Sequence, residues 1–405
     1  MHLEDISSNM LALDMYNFDK KINRKTNSLK YDDLESVFGS KDIDALWVAD
    51  MDIATPIFIR DAILKRSKHK IYGYEKTKDK LYSSIQKWQH EQYNWKIKTK
   101  DILVVNGIRA SLSAGVKAYS NIGDEVITFT PVWTPFFDSV TRNDRKLVKV
   151  KLQKNTNSYD IDFKAFTKAI TKNTKILLLC SPHNPTGRVW SKKELLKLGN
   201  ICLKHNIKII SDEIYSDLSF KKFIPIASVS KDISNITLTL NSPNKAFNIA
   251  GLNVSYAIAQ DRKMYEEFSK IANARYINNI TIFSSLAVIA SYSKEGKIWI
   301  EEIKQYLKNN IRYTEQYLKE NIPSIKYKKT NASYLIWLDF TDSSLSHEEI
   351  QKVLIKKCKI GLSNGHGFDK ETGNKHFRMN LAIPFKEVKS VLKRLFRYNA
   401  KIINI

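Results

Sequence analysis

An α/β fold with a mostly parallel sheet, joined to a smaller α+β domain, is what this chain predicts. Three observations carry the prediction. Short apolar runs recur along the first two thirds, helical patterns stand between several of them, and near Ile298 the texture changes to longer amphipathic stretches.

The apolar runs are Ile102-Leu-Val-Val105, Glu125-Val-Ile-Thr-Phe129, Lys146-Leu-Val-Lys-Val150, Ile176-Leu-Leu-Leu179, Ile207-Lys-Ile-Ile210, Ile236-Thr-Leu-Thr-Leu240 and Val254-Ser-Tyr-Ala-Ile258. Four or five residues long and rich in Ile, Leu and Val, they suit strands of a sheet covered on both faces. Ser191 to His205 reads as a helix, because Ser191 and Glu194 form a capping box at its start. Beyond Ile298 we expect a helix over Trp299 to Glu320, a strand Tyr334-Leu-Ile-Trp-Leu338, a helix from Ser346 to Lys357 and a last helix from Pro384. The expected division is an N-terminal segment 1–48 joining the small domain, a large domain over 49–290 and a small C-terminal domain over 291–405.

Composition excludes several classes. With 405 residues, 43% of them hydrophobic and 11% aromatic, the chain can bury a large core. No apolar run approaches the roughly 20 residues of a membrane span, and Met1-His-Leu-Glu-Asp lacks the pattern of a signal peptide, so a cytoplasmic location is expected. Cys180, Cys202 and Cys358 show no Cys-x-x-Cys spacing, which speaks against a disulfide framework and a structural zinc, and no metal is expected. The net charge of +24 comes from 53 lysines against 13 arginines, scattered beside Asn and Ile; this is a solvated surface rather than a nucleic-acid face. No phosphate-binding P-loop, dinucleotide glycine fingerprint or His-Glu-x-x-His occurs. Gly361-Leu-Ser-Asn-Gly365 matches a nucleophile elbow, but the polar run after it reads as a loop rather than a helix.

In a parallel α/β sheet, ligands gather beyond the carboxyl ends of the strands. Four runs deliver reactive residues there. They are Asn106-Gly-Ile-Arg109, a glycine turn into a helix whose free amides can hold an anion; Ser181-Pro-His-Asn-Pro-Thr-Gly187; Ser211-Asp-Glu-Ile-Tyr215; and Ser242-Pro-Asn-Lys245. Lys245 stands among Pro243, Ala246, Phe247 and Ile249, company in which an ammonium is costly unless it is paired, neutralised or used.

The order Asn-Pro-x-Gly, Asp-x-x-Tyr, Ser-x-x-Lys, each motif after a strand, resembles the fold-type I pyridoxal phosphate enzymes of the class I and II aminotransferase group over nearly the whole chain. The resemblance implies a three-layer large domain of that type binding pyridoxal 5'-phosphate over 49–290, with an amino-acid substrate. It implies roles residue by residue. Lys245 would carry the cofactor and take the Cα proton, and Asp212 would pair with the pyridine nitrogen. Asn184 and Tyr215 would hold the phenolic oxygen, and Ser242 with the amides of Ile108 and Arg109 would hold the phosphate. Trp133 would stack on the ring where the family commonly has tyrosine, and Arg378, in His376-Phe-Arg-Met-Asn-Leu-Ala382, would bind the substrate carboxylate beside Asn184. Tyr74 would reach the phosphate of a neighbouring subunit, making the enzyme a homodimer with shared sites; neither a nucleic acid nor a membrane partner is expected.

Leu46-Trp-Val-Ala-Asp-Met-Asp52, followed by Thr55-Pro56, is similar to a segment of the cystathionine β-lyase-like branch, the MalY/PatB group. Asn253 stands eight residues after Lys245, where most aminotransferases of the class place an arginine, and Arg109 could compensate for it. The resemblance therefore implies a C-S β-lyase cleaving cystathionine or related L-cysteine S-conjugates to pyruvate, ammonia and a thiol. The alternative is an aminotransferase or a specialised biosynthetic enzyme on the same scaffold, which Tyr215 suits. Tyr334, Trp47 and Arg275 are candidates for specificity.

Overall fold

The computed structural model describes residues 16–24, 26–76 and 79–403. Residues 1–15 of the expected N-terminal segment lie outside it.

Seven strands form the large sheet, in the order Ile102–Val105, Ser255–Ile258, Thr237–Asn241, Lys208–Asp212, Thr174–Cys180, Glu125–Thr130, Lys146–Lys151. All pairings are parallel except those of Ser255–Ile258, which runs antiparallel to both neighbours. Alternate side chains enter opposite layers, as the pleat requires. Ile176, Leu178, Ile210 and Leu238 pack under the helices Ile108–Tyr119 and Arg262–Ala274, whereas Leu177, Leu179 and Ile209 pack on Lys192–Lys204. The result is a three-layer α/β unit, and Ser191 and Glu194 cap the Lys192 helix reciprocally as expected.

A second sheet runs Asp44–Leu46, Ile360–Asn364, His376–Asn380, Leu335–Asp339, Lys326–Tyr327. Its first pair is parallel and the others antiparallel. The N-terminal segment thus supplies an edge strand to a sheet otherwise made of C-terminal residues. One 28-residue helix, Lys294–Asn321, serves both units: Trp299, Ile303 and Leu307 lie in the core beside the large sheet, and Ile311 and Leu318 in that of the small one. No helix among the described residues is long and apolar enough to cross a membrane.

Gly361-Leu-Ser-Asn-Gly365 is followed by a loop, as expected. Its first four residues belong to the strand Ile360–Asn364, and only a three-residue 3-10 turn follows. Gly361 tolerates this place because Phe38 and Ile43 occupy the room a Cβ would need, at 3.0 and 3.1 Å from it. No elbow forms, and Ser363 Oγ donates instead to the Trp47 carbonyl at 2.6 Å.

Candidate active site

The strand ends converge. Asp212 closes its strand opposite Cys180, and its carbonyl accepts the Ser181 amide at 2.9 Å. Asn184, just beyond, accepts the Trp133 amide on its carbonyl at 3.2 Å and the Arg378 Nη1 donor on Oδ1 at 3.1 Å. Trp133 is thereby held beside Asn184, and Arg378 is brought from the small sheet to the large one. The other donors of Arg378 reach the Trp47 carbonyl at 2.8 Å and Ser363 Oγ at 3.0 Å, while its buried Nε has no partner among the described residues.

Lys245 lies in the turn after Thr237–Asn241. Its Nζ donates to the Ala49 carbonyl at 2.6 Å, and the hydroxyl of the fully buried Tyr334 donates to the same oxygen at 2.9 Å. Burial lowers the pKa of Lys245 to about 8, assisted by Arg378 and opposed by Asp50 and Asp212. Burial also raises the pKa of Asp212 to about 7, against the pull of the Ile214 amide and Lys245. Tyr215 stacks edge-on to Tyr334 with ring centroids 6.0 Å apart, and its buried hydroxyl has no hydrogen-bond partner among the described residues. A lysine with a lowered pKa, a carboxyl with a raised one and two orphaned donors in one place mark a site equipped for an anionic, polar ligand.

The carbonyl facing Lys245 is rigidly placed. Asn248, three residues on and in the left-handed region at φ 52°, exchanges hydrogen bonds with Met51 at 3.0 and 2.9 Å and donates to the Ile53 carbonyl at 2.7 Å. Asn380 Nδ2 donates to the carbonyls of Val48 and Asp50. Arg24 bridges Asp50 and Asp52, and the fully buried Lys30 pairs with Asp52 at 3.0 Å, so the outer face is a compensated charge cluster. Sequence reasoning singled out the segment Leu46–Asp52 but not Ala49, because the contribution of Ala49 is a main-chain oxygen.

The anion end of the site is less complete. Gly107, at φ 66°, begins the helix Ile108–Tyr119, and a Cβ there would stand 2.3 Å from Asn253 Oδ1, so only glycine fits. The first-turn amides of Ile108 and Arg109 have no carbonyl one turn back to accept them. Ser242 is close by but engaged: its hydroxyl donates to the Val254 carbonyl at 2.6 Å and accepts the Asn244 amide at 3.1 Å. Arg109 is exposed. Arg275 is not at the site, since it binds Ser113 and Asn143, a helical turn past Arg109. Nor is Tyr74, which is fully exposed on a cleft of about 600 Å³ shared with residues 278–286.

Residues 42–395 match the model of the family described as "Aminotransferase class I and II". Cystathionine beta-lyase PatB of Bacillus subtilis is 37% identical over 383 residues, covering 94% of this chain and 98% of that protein. Two solved structures are also similar. A protein of Clostridium difficile 630 with PLP bound is 38% identical with a TM-score of 0.92, over 95% of this chain and 100% of its own. Cystalysin of Treponema denticola, which contains pyridoxal 5'-phosphate, is 31% identical with a TM-score of 0.91, over 96% and 99%.

Proposed function

The chain belongs to the class I and II aminotransferase family, and from that premise we propose that it is a pyridoxal phosphate-dependent C-S β-lyase acting on cystathionine or related L-cysteine S-conjugates. One observation carries the choice of chemistry. Trp47-Val-Ala-Asp-Met-Asp52, the segment similar to the lyase branch, forms the wall against the reactive lysine, with the Ala49 carbonyl 2.6 Å from Lys245 Nζ. The similarity to PatB along nearly the full length supports the same reading.

The residues present fit the cofactor. Among the described residues the buried carboxyl of Asp212, with a pKa of about 7, forms no ion pair at contact distance, which a protonated pyridine nitrogen would supply. The orphaned Tyr215 hydroxyl offers a donor to the phenolic oxygen, and the glycine turn at Gly107 leaves main-chain amides open to a phosphate. When bound, pyridoxal phosphate supplies an electron sink that lets Cα–H cleavage be followed by loss of a β-thiolate. The rest is protein chemistry. Arg378 and Asn184 orient the amino acid by its carboxylate, which fixes the Cα proton toward Lys245. Lys245 Nζ removes that proton, and a pKa lowered to about 8 keeps enough free amine near neutrality. Asp212 would hold the proton on the ring nitrogen, Trp133 would cover the ring, and Ser242 would turn its hydroxyl from the Val254 carbonyl toward the phosphate.

Tyr74 completes the site only if it belongs to a neighbour. Its full exposure, beside exposed Ile71 and Tyr72, supports a homodimer in which it reaches the partner's phosphate. An aminotransferase is the second reading, favoured by Tyr215. The two separate when the purified protein is incubated with cystathionine and no keto acid. Continuous release of thiol and pyruvate is the expected result, and a single turnover ending in the pyridoxamine form would assign the alternative.

Arg109 supports a second test. Among the described residues its guanidinium has no ion-pair partner, and it stands in the first turn of the helix whose N-cap, Gly107, faces Asn253. Arg109→Ala should weaken pyridoxal phosphate binding about tenfold and leave pyridoxal, which lacks the phosphate, unaffected. Equal affinities for wild type and variant in a fluorescence titration would remove Arg109 from the site.

A further inference from the structure

The loop after Ile360–Asn364 touches two parts of the site at once. The Gly367 carbonyl accepts Thr134 Oγ1 and the Phe368 carbonyl accepts the Val132 amide, so Trp133 sits between two anchors. The Phe368 ring lies 5.0 Å from the Arg378 guanidinium carbon and 5.2 Å from the Trp337 ring. The next residue, the buried Asp369, binds Lys149 Nζ at 2.8 Å and accepts the Thr372 amide and hydroxyl at 3.0 Å each. Lys149 belongs to the edge strand Lys146–Lys151 of the large sheet, and its ammonium also lies 4.7 Å from the Phe137 ring, in the helix that follows Trp133. One ion pair thus bolts the large sheet to the loop whose ring supports Arg378.

We propose that the Lys149–Asp369 pair is a positioning device for substrate-carboxylate binding: by fixing Phe368 it sets the guanidinium of Arg378 against the site, and through the Phe368 carbonyl it sets Trp133. Neither residue touches substrate. A cation over an aromatic face is oriented by that face, so a Phe368 that can shift leaves Arg378 with a wider range of positions. A second pair in the same strand and loop, Lys151–Glu371, is exposed on both sides and gives an internal control, because such pairs contribute little. The inference rests on the proposed role of Arg378 in either the lyase or the aminotransferase reading.

The test compares L-alanine with L-alaninamide, which lacks the carboxylate, by their effect on the absorbance of the cofactor-loaded protein. Lys149→Met keeps the stem over Phe137 and removes the charge; it should weaken L-alanine about three- to tenfold and leave L-alaninamide unchanged. Asp369→Asn, a second way of removing the pair, should do the same; Lys149→Arg should restore wild-type binding and Lys151→Met should be silent. If Lys149→Met and Asp369→Asn weaken both ligands alike, the pair is merely structural; if they weaken neither, it positions nothing. Failure of the underlying reading looks different: Arg378→Lys would then itself leave L-alanine binding untouched, and the proposal would fall with it.

Discussion

Lys245→Ala should yield a folded protein that no longer holds its cofactor covalently, so that the yellow absorbance disappears and thiol release from cystathionine drops by about 10³-fold or more. The expectation comes from position. Lys245 Nζ is fixed at 2.6 Å from the Ala49 carbonyl between Asp212 and Arg378, and among the described residues no other lysine is hydrogen-bonded to this part of the wall except Lys30, which is committed to Asp50 and Asp52. The pH profile follows from the same residue. A base works in its deprotonated form, so turnover should climb with pH up to about 8 and level off above it. Persistence of the absorbance band in the variant would sink the whole assignment, and circular dichroism separates that result from misfolding.

Asp212→Asn should cut turnover by about 10²- to 10³-fold, because an amide cannot hold a proton on the ring nitrogen as a carboxylate does. The same substitution should stabilise the cofactor-free protein. The folded pKa of Asp212, about 7, lies above its ordinary value, so the folded chain binds a proton that the unfolded chain gives up. Stability is therefore lost as pH rises from about 4 through about 7, by at most about 4 kcal/mol, and stays lost above that range. Asn carries no charge to desolvate. Urea unfolding of both cofactor-free proteins at pH 5 and pH 8 tests this: the advantage of the variant should be larger at pH 8, and a pH-independent difference would mean that Asp212 is not held in the desolvated state described.

The strand-end polar residues were legible in the sequence because apolar runs mark strands and the residues that break them are few. Asp212, Asn184 and Lys245 stood out for that reason, and Arg378 because its Phe and Met neighbours read as a buried strand. The antiparallel direction of Ser255–Ile258 was not legible, since strand composition carries no direction. The strand Ile360–Asn364 was not legible either, because glycine punctuates loops and, as here, also makes room for Phe38. Ala49 and Phe368 were invisible for a third reason: one acts through its carbonyl and the other through a ring that meets Arg378 only when two sheets come together.

The three cysteines, whose spacing spoke against a disulfide framework, are all free and buried, with burial raising each pKa well above the ordinary thiol range. For an enzyme that discharges a thiol from its own active site, this burial amounts to product tolerance. The released sulfur, and any disulfide or persulfide formed from it, meets no protein thiolate with which to exchange. The catalyst can work in a pool of its own reactive product without becoming capped by it.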